Sequence, residues 1–515
     1  MQLRRTLGQD AALSEIGTLL LSIFIVAICA LTYELLIGTL SSYLLGDSVY
    51  HFSITIGIFM SSMGLGSFLS RWFIRNLLLW FVVVELTIGI FGGFSALILY
   101  FAYASFDKSY FVVMVSVIII IGTLIGLELP LLTRIAKNYG ALRDVLAQVL
   151  GLDYVGALVA SIAFPIALLP YVGLMKTAFL VGLLNLLVVF VNLRVFRHTL
   201  PSLRALVLAS VAGLLLLGSG LAYAERITSF VEQLLYRDQI LYSDQTRYQK
   251  VVITQWRDDL RLFLDGAIQF SSRDEYRYHE SLVHPALSII PSRERVLILG
   301  GGDGLAAREV LKYPDVQAVT LVDIDPEITR LASTYPALVS LNQGSLTNPK
   351  LKVINEDAYS FLGRTMDLYE AIIVDMPDPR NENLSKLFSV QFYQLVARHL
   401  AMGGTAAVQS TSPYFAREAF WSINHSIAAA GFYVRPYHTF IPTFGDWGFN
   451  LASNVPLEGR GFAVKVPTRF VDPPTIEGMF QFEPDVAEVP AQPSTLEDQA
   501  VLRYYLDAFH NWRSR

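Results

Sequence analysis

Long apolar runs follow one another through the first 225 residues of the chain, and they limit its fold more than any other feature. A helix needs roughly 17 to 25 apolar residues to cross a bilayer. Runs of that length lie at 17–45, 51–73, 77–103, 110–133, 145–172, 177–193 and 205–224. The fifth run is the least regular, because Asp153, Pro165 and Pro170 interrupt it. The pattern predicts an N-terminal α-helical multi-pass membrane domain of about seven spans over residues 1–225.

Basic residues give a first indication of orientation, because lysine and arginine favour the cytoplasmic side of a membrane. They gather at alternate connections between the runs, at Arg4 and Arg5, Arg71 and Arg75, Arg134, Lys137 and Arg143, and Arg194, Arg197 and Arg204. This distribution puts the N-terminus in the cytoplasm. Seven spans would then leave the following domain outside, whereas an even number would return it to the cytoplasm.

Four acidic residues fall inside the apolar runs: Glu34, Glu85, Glu128 and Asp153. Ionisable groups at membrane depth are costly and often functional. They can equally face the interior of the helix bundle, pair with a polar neighbour or lie near an interface. Both interpretations stay open from the sequence.

The rest of the composition excludes several classes of function. The net charge of -5 argues against a nucleic-acid binder, which would usually carry a basic patch. Cys29 is the single cysteine, so neither a disulfide framework nor a thiolate metal site is available. The eight histidines show no metal-ligand spacing, so no metal is predicted.

Beyond about residue 240 the pattern changes to short strands and helices. It predicts strands at 248–254 and 260–264, a helical segment at 274–288 interrupted at Pro285, a strand at 295–299, a glycine-rich turn at 300–304, a helix at 305–312 and a strand at 318–322. A strand, a glycine-rich turn, a helix and a strand that ends in an acid follow the order of a Rossmann-like nucleotide-binding unit. The acid here is Asp323, which can accept hydrogen bonds from both ribose hydroxyls.

Two further predicted strands also end in acids. Strand 352–354 leads to Asp357, which can hold the exocyclic amine of an adenine, and strand 371–375 ends at Asp375, with Asp378 three residues later. The carboxyl ends of the strands form the usual ligand crevice of such a sheet. Asp378 and Pro379 can equally form a loop turn, whereas a carboxylate beside a buried strand needs partners.

The remaining pattern completes the predicted domains. Strands are predicted at 405–409 and 462–465 around an aromatic stretch at 442–449, irregular chain at 472–496 and a helix at 497–512. The prediction is a small β-stranded subdomain with a gate helix over 226–290, a Rossmann-like, class I methyltransferase-like α/β catalytic domain over 291–470, and a C-terminal segment over 471–515.

In order and spacing, these residues resemble the spermidine synthase family of polyamine aminopropyltransferases, which includes members with an N-terminal multi-pass membrane region. The resemblance covers about residues 242–470, with a suggestion of the family's C-terminal tail at Tyr504 and Tyr505. Its motifs are Tyr248-Gln249, Leu264-Asp265-Gly266 with Gln269, Asp274-Glu275 with Tyr278-His279-Glu280, Asp303 in the glycine-rich turn, Asp323-Ile324-Asp325, Asp357-Ala358 and Asp375-Met376-Pro377-Asp378-Pro379.

The resemblance implies a role for each matching residue. Asp375 would be the catalytic proton acceptor. The others would bind substrate: Gln249 the nucleoside, Asp323 the ribose, Asp357 and Ala358 the adenine, His279 and Asp303 the polyamine and aminopropyl region, Tyr278 and Asp378 the amine, with Gln269 among the substrate-binding residues.

The implied reaction transfers the aminopropyl group of decarboxylated S-adenosylmethionine, a co-substrate and not a bound cofactor, to an amine such as putrescine, with release of methylthioadenosine. The implied partners are polyamine and nucleoside substrates, the lipid bilayer and further copies of the chain in a homodimer or homotetramer. The catalytic domain would lie on the cytoplasmic side of the inner membrane. The alternatives are an S-adenosylmethionine-dependent methyltransferase and a non-catalytic transporter or sensor that binds a polyamine or nucleoside.

The chain departs from the family at two places near the amine. Soluble members usually carry Gly-Pro after the Asp-Pro pair, and here Arg380 and Asn381 follow Pro379. They usually have a tyrosine where Phe444 stands. The identity of the amine acceptor therefore stays open.

Overall fold

The computed structural model of the chain describes residues 2–45, 48–105, 110–236, 238–457, 459 and 461–513. Internal contacts divide the chain into two compact units, Met1–Arg237 and Asp238–Arg515. The division lies after the helix Ala224–Leu235, whereas the sequence pattern places it near residue 225. The difference arises because Ala224 and Val231 of this helix pack into the apolar core of the first unit.

The described part of the first unit is helical. Its helices are α1 Gln2–Leu45, α2 Ser48–Leu69, α3 Leu77–Gly93, α4 Ser95–Ser105, α5 Tyr110–Ala136, α6 Leu142–Ala163, α7 Leu174–Val195, α8 Leu203–Ala222 and α9 Ala224–Leu235. Phe164–Val172, with its two prolines, continues α6 as π-helical turns. Among the described residues, six helices are long and apolar enough to cross a membrane, and α3 with α4, bent by 41°, makes a seventh if the pair is one span. Apolar helices thus occupy all of the predicted runs.

Glycines bring several of these helices into close contact. A Cβ added to Gly126 of α5 would lie 2.1 Å from the carbonyl oxygen of Met63 in α2. A Cβ added to Gly66 of α2 would lie 2.0 Å from the carbonyl oxygen of Thr123 in α5. α6 approaches the backbone of α1 in the same way at Gly156, at 2.5 Å. Small residues at these positions let the helix backbones meet, as is typical of helix packing in membranes.

The second unit begins with a four-stranded antiparallel sheet in the order β1-β2-β3-β4. Its strands are β1 Gln239–Gln245, β2 Lys250–Trp256, β3 Asp259–Leu264 and β4 Ala267–Ser271. β2 and β3 correspond to the two predicted strands. The sequence pattern does not predict β1 or β4, because most of their residues are only half-buried and the apolar alternation is weak.

A seven-stranded sheet forms the rest of the unit, in the order β10-β11-β9-β8-β5-β6-β7. The elements that follow β4 are α10 Glu275–Ser288, β5 Arg295–Gly300, α11 Leu305–Leu311, β6 Ala318–Asp323, α12 Pro326–Thr334, α13 Pro336–Leu341, β7 Leu351–Asn355, α14 Ala358–Arg364, β8 Tyr369–Asp375, α15 Glu382–Ser385, α16 Val390–His399, β9 Leu400–Gln409, α17 Arg417–Ala429, β10 Tyr433–Ile441, β11 Gly445–Ser453, α18 Pro473–Gly478 and α19 Ala500–Arg513. β5 to β9 are parallel, and β11 runs antiparallel to β9 and β10. Because β6 and β8 flank β5, the winding reverses there, and ligands bind at the carboxyl ends of strands at such a point.

Helix α10 does not break at Pro285, so that part of the prediction is wrong. A proline inside a helix lacks the N–H that would donate to the carbonyl four residues earlier, here that of Ser281. The Ser281 carbonyl instead accepts a hydrogen bond from the hydroxyl of Tyr437 at 3.0 Å. The buried acceptor is therefore satisfied and the helix continues.

The predicted strand at 462–465 is also wrong. This segment has no ladder partner among the described residues. Phe462 stacks on Phe480 with ring centroids 5.5 Å apart, and the Ala463 N–H donates to the Ser288 carbonyl at 3.3 Å. Its alternating apolar side chains therefore pack against the core without joining the sheet. The strands that close the sheet are β10 and β11.

Candidate active site

The glycine-rich turn after β5 lies against the ends of two neighbouring strands. Gly300 has a φ of 81°, and an added Cβ would lie 2.0 Å from the carbonyl oxygen of Asp375, at the end of β8. The N–H of Gly301 donates to that same carbonyl at 3.1 Å. The N–H of Gly302 donates to Asp323 Oδ2 at 3.0 Å, at the end of β6. The glycines therefore hold the turn against both acids, where a side chain would collide.

Asp375 meets Tyr278 of α10 at this edge of the sheet. The Tyr278 hydroxyl donates to Asp375 Oδ1 at 2.6 Å. The Tyr278 ring packs edge-on against Phe449, with centroids 5.4 Å apart, which holds it in place. Burial raises the pKa of Asp375 to about 6, against the opposing effects of His279 and the Tyr278 hydrogen bond. A carboxyl with that pKa can be ionised at neutral pH and still accept a proton.

His279 supplies positive charge beside these acids. Its Nδ1 lies 2.9 Å from Glu275 Oε2, and both nitrogens at the end of Arg308 contact the same Glu275 carboxylate at 2.9 Å. Burial alone would lower the pKa of His279, but the Glu275 carboxylate raises it to about 9. His279 is therefore protonated at neutral pH. Its charge acts on both Asp303 and Asp375.

Asp303 lies in the glycine-rich turn itself. Its Oδ1 accepts the N–H of Leu305 at 2.9 Å, which fixes the carboxylate at the start of α11. Burial raises the pKa of Asp303, while the His279 charge opposes the rise. The side chain keeps partial exposure and its Coulombic interaction reaches both Asp323 and Asp375. The predicted acids at the ends of β6 and β8 and in the turn therefore form one electrostatic cluster.

Asp378 has its own set of partners. Gln409, at the end of β9, donates from Nε2 to Asp378 Oδ1 at 3.1 Å. Tyr505, in α19, donates from its hydroxyl to Asp378 Oδ2 at 3.0 Å. Burial raises the pKa of Asp378. Side chains from two other elements thus hold the Asp378 carboxylate in place, so Asp378 does more than form a loop turn.

The predicted nucleoside side begins at Asp323. Besides the Gly302 N–H, the carboxylate accepts the N–H of Asp325 at 2.9 Å, and burial raises its pKa to about 6. The predicted nucleoside contact Gln249 donates from Nε2 to Asp325 Oδ2 at 3.0 Å. Gln249 is therefore linked to Asp323 through Asp325, whose backbone N–H bonds to Asp323 and whose carboxylate accepts from Gln249.

The other predicted residues have contacts in their own segments. Asp357 accepts the N–H of Ser360 at 2.9 Å, which caps α14, and the Nζ of Lys386 at 2.8 Å. Ala358 is buried at the first position of α14. Gln269, in β4, donates to the Ala267 carbonyl at 3.1 Å. Their proposed ligand contacts stay predictions.

Sequence reasoning missed three residues of the site. Arg308 could have been found, because two charged residues, Arg308 and Glu309, stand in the otherwise apolar Leu305–Val310 stretch and signal buried pairs. Gln409 carries the same signal as Asp375, since both are polar residues at the carboxyl end of a buried strand. Lys386 begins a short 3₁₀ helix after α15, and nothing in the sequence points to its partner Asp357.

Comparison with known proteins gives this site a family. A family model described as "Spermine/spermidine synthase domain" matches residues 275–457. The polyamine aminopropyltransferase 2 of Ralstonia nicotianae is 43% identical over 500 residues, which cover 96% of this chain and 98% of that protein. The chain belongs to the polyamine aminopropyltransferase family. A polyamine aminopropyltransferase of Leptospira interrogans is 44% identical over 95% of this chain and 97% of that protein. A crystal structure of spermidine synthase in complex with the transition-state analogue AdoDATO has a TM-score of 0.44 and 24% identity, and covers 48% of this chain and 86% of that chain.

Membership in the polyamine aminopropyltransferase family confirms the predicted class of transferase. It sets aside the methyltransferase and the non-catalytic transporter or sensor as the main activity. The alignment with the Ralstonia protein spans 96% of the chain, so the apolar N-terminal unit is also shared with that relative. The homodimer or homotetramer stays a prediction.

Proposed function

We propose that this protein transfers the aminopropyl group of decarboxylated S-adenosylmethionine to a primary amine such as putrescine, with Asp375 as the proton acceptor. We further propose that the apolar helices of the first unit hold the enzyme in a membrane. The first proposal rests on the family and on the cluster of Tyr278, His279, Asp303 and Asp375. The second rests on the length and composition of the helices.

The reaction needs alignment and deprotonation more than activation of the donor. The sulfonium carbon of the donor is already electrophilic, and the methylthioadenosine formed is a neutral thioether. The acceptor arrives as an ammonium with a pKa of about 10.4, so its nitrogen has no lone pair with which to attack. As the new carbon–nitrogen bond forms, the carbon–sulfur bond breaks and its electron pair stays on sulfur. One ammonium proton must leave to a base.

The single observation that carries the assignment of the base is the Tyr278 contact with Asp375. A carboxyl at the strand end, held at 2.6 Å by the tyrosine hydroxyl and with a pKa raised to about 6 by burial, is ionised at neutral pH. It can take the ammonium proton as attack proceeds and release it to solvent afterwards. Asp378 supplies a second negative charge for the same amine through a charge-assisted hydrogen bond.

The other acids select and hold the donor. Asp303 would attract the amino group of the decarboxylated donor and repel the carboxylate that ordinary S-adenosylmethionine carries. Asp323 accepts two backbone N–H groups already, and its remaining lone pairs are free to accept the ribose hydroxyls. Asp357 would accept the adenine amine in addition to Ser360 and Lys386, with Ala358 below the base and Gln249 and Gln269 on the nucleoside and substrate side.

The test is turnover by the full-length protein in detergent, measured as methylthioadenosine release with a panel of diamines and triamines. Release should require an amine, and Asp375→Asn should lower it by about 10²- to 10⁴-fold, the usual contribution of a general base. Asp258→Asn is the matched control, since its side chain is 79% exposed and lies in the turn between β2 and β3. Full activity in Asp375→Asn would refute the assignment of the base, and no release with any amine would refute the transferase proposal.

The side of the membrane needs a separate experiment. An even number of crossings, which α3 and α4 would give if their bent pair re-enters the same side, supports a catalytic unit on the cytoplasmic face of the inner membrane. The basic residues at alternate connections favour seven crossings and the opposite side. A cysteine placed at the exposed Asp258 can be probed with an impermeant maleimide, because the native Cys29 is buried. Labelling only after permeabilisation supports the cytoplasmic face, and labelling of intact cells contradicts it.

A further inference from the structure

Four helices of the first unit, α1, α2, α5 and α6, line a partly open cavity that contains three acidic side chains. Its volume is about 140 Å³. A single water needs roughly 10–15 Å³ on the same scale, so the space is far larger than a packing defect. The acids are Glu34 of α1, Glu128 of α5 and Asp153 of α6. The rest of the lining is apolar.

Small side chains and close helix contacts keep this space open. Ala27 and Ala30 of α1 and Ala157 of α6 face the cavity, where larger residues would fill it. On either side of it, Gly126 and Gly156 bring α5 against α2 and α6 against α1 at backbone contact. The helices therefore cannot move closer together to close the cavity, because these contacts are already at van der Waals distance.

Glu128 presents a buried carboxyl oxygen with no partner. Its side chain is 2% exposed, and Oε2 finds no hydrogen bond of suitable geometry in the described part of the chain. Glu85 of α3 is fully buried, and both of its carboxyl oxygens are in the same situation. The two carboxyl groups lie within hydrogen-bonding reach of each other, so they repel each other when both are ionised. Neither lysine nor arginine occurs among the described residues that line the cavity. What is missing from this site is a positive charge with N–H donors.

The placement of the acids on three different helices discriminates between kinds of cation. A metal ion such as Ca²⁺ needs six to eight oxygen ligands converging at roughly 2.3–2.6 Å. No group of three or more acidic, histidine or cysteine side chains in the described residues is arranged to hold a metal ion. Acids on separate helices in an otherwise apolar lining instead match a chain whose charges are separated by methylene groups. Each ammonium would offer three N–H donors to a carboxylate.

We infer that the cavity of the first unit binds a linear amine with two or more ammonium groups. One ammonium contacts Glu128, another contacts Asp153 or Glu34, and the methylenes between them lie along the apolar wall. The ligand belongs to the same chemical class as the acceptor and product of aminopropyl transfer. The site is nevertheless additional to that reaction and does not depend on it, because its residues all lie in the first unit.

Equilibrium dialysis of the full-length protein in a neutral detergent, with radiolabelled putrescine and spermidine, tests the inference. The wild type should bind more than one amine per chain, because the catalytic crevice holds one. Glu128→Gln should remove the additional amine or weaken its binding by about 10- to 100-fold, as expected when one partner of a buried charge pair is lost. This change should leave the rate of methylthioadenosine release at saturating substrate within about twofold. Gln has the same shape as Glu and can donate an N–H to Glu85, so folding is retained.

A matched pair on one helix gives the control. Asp153→Asn removes an acid that lines the cavity, and Asp144→Asn removes an acid of α6 whose side chain is 59% exposed beside Arg143. The first change should weaken the additional amine, and the second should not. One amine per chain in the wild type, or an additional amine that survives Glu128→Gln, would overturn the inference. Radiolabelled Na⁺ that binds in place of the amine and is lost in Glu128→Gln would also overturn it. Loss of turnover with the additional amine still bound would refute the proposed reaction alone.

Discussion

The two units treat buried carboxyl groups in opposite ways. In the second unit each buried acid of the site has partners, as Asp375 has Tyr278 and Asp378 has Gln409 and Tyr505. In the first unit no donor group of the described residues reaches either oxygen of Glu85 or Oε2 of Glu128, and the two carboxyl groups lie within hydrogen-bonding reach of each other. The catalytic crevice is therefore preorganised, with the side chains in place before substrate enters. The helical cavity is incomplete until a cation enters it.

The contrast matters for stability as well as for binding. Removing one partner of a buried ion pair destabilises the fold, because the other charge is left buried and unpaired. A buried carboxyl that accepts no hydrogen bond from a donor group loses its hydration, and no hydrogen bond compensates for that loss. Replacing a buried acid that has donor partners should therefore destabilise its unit. Replacing a buried acid that has none should leave folding unchanged. The predictions below test that difference in order of expected size.

The largest effect should come from Glu275→Gln compared with Glu85→Gln. Glu275 accepts two hydrogen bonds from Arg308 and lies beside protonated His279, so its loss leaves buried charge unpaired. We expect it to destabilise the second unit by about 3–5 kcal/mol. Glu85→Gln keeps the contact with Glu128 and can donate an N–H to it, so it should change the first unit by less than about 1 kcal/mol.

Hydrogen exchange measured by mass spectrometry reads the opening free energy of each unit separately in the full chain. The matched change of one carboxyl to an amide keeps shape constant in both units. Equal destabilisation of the two units, or a larger loss from Glu85→Gln, would contradict the comparison.

Acid should remove the stability that Glu309 gives to the second unit. Glu309 is buried, and contacts with His284, Arg308 and Lys312 overcome the cost of that burial and lower its pKa from 4.5 to about 2. A lowered carboxyl pKa gives stability that is present above pH 4.5 and is lost as pH falls towards 2. The shift corresponds to about 3 kcal/mol. Calorimetric unfolding should show that Glu309→Gln is less stable than the wild type at neutral pH. The difference in unfolding free energy between the two proteins should shrink as pH falls towards 2. Identical pH profiles of the two proteins would exclude Glu309 as the cause.

Turnover should depend on pH through the site's two best-defined groups. Asp375 must be ionised to accept a proton, so with its pKa raised to about 6 activity should fall about tenfold per pH unit below 6. His279, with its pKa raised to about 9, should lose its charge above that pH and give a second limb. Tyr278→Phe removes a hydrogen bond that lowers the pKa of Asp375, so the acid limb should move to higher pH.

The logarithm of kcat/KM plotted against pH measures both limbs. Tyr313→Phe is a suitable control, because Tyr313 bonds to His284 and lies outside the Asp375 contacts. An acid limb that stays in place in Tyr278→Phe would show that this hydrogen bond does not set the titration of the base.

The sequence predicted those parts of the molecule that follow from local pattern. The glycine-rich turn at 300–304 and the strand ends at Asp323 and Asp375 could be found, because buried strands are apolar and a polar residue marks where each one ends. The continuity of α10 through Pro285 could not, because it depends on the hydroxyl of Tyr437, more than 150 residues later. The segment at 462–465 alternates as a strand does, yet only the three-dimensional arrangement shows that it packs without pairing.

The same limit separates the two acid sites. The crevice could be predicted because a family shares its motifs, while the four acids in the apolar runs could be seen but not assembled. Their positions on α1, α3, α5 and α6 depend on helix packing, and that packing is set by contacts such as Gly126 against Met63. Only the assembled helices bring Glu34, Glu128 and Asp153 to one cavity.

The smallest expected effect concerns the choice of amine at Asp378. Arg380 stands where soluble relatives usually have glycine or proline, and it donates to the Leu264 carbonyl at 3.3 Å. Burial raises the pKa of Asp378, and the Arg380 charge opposes that rise, so the two groups interact. A fixed positive charge beside the acceptor carboxylate should repel the additional ammonium of a triamine more than it affects a diamine. Arg380→Gln should therefore raise kcat/KM for spermidine relative to putrescine by about three- to tenfold, the size expected of a partly exposed charge.

Lys386→Gln is the matched loss of charge on the nucleoside side, where it should change the KM for the donor and leave the ratio of kcat/KM for the two amines unaltered. An unchanged ratio in Arg380→Gln would mean that the acceptor is chosen by shape around Phe444 and not by charge.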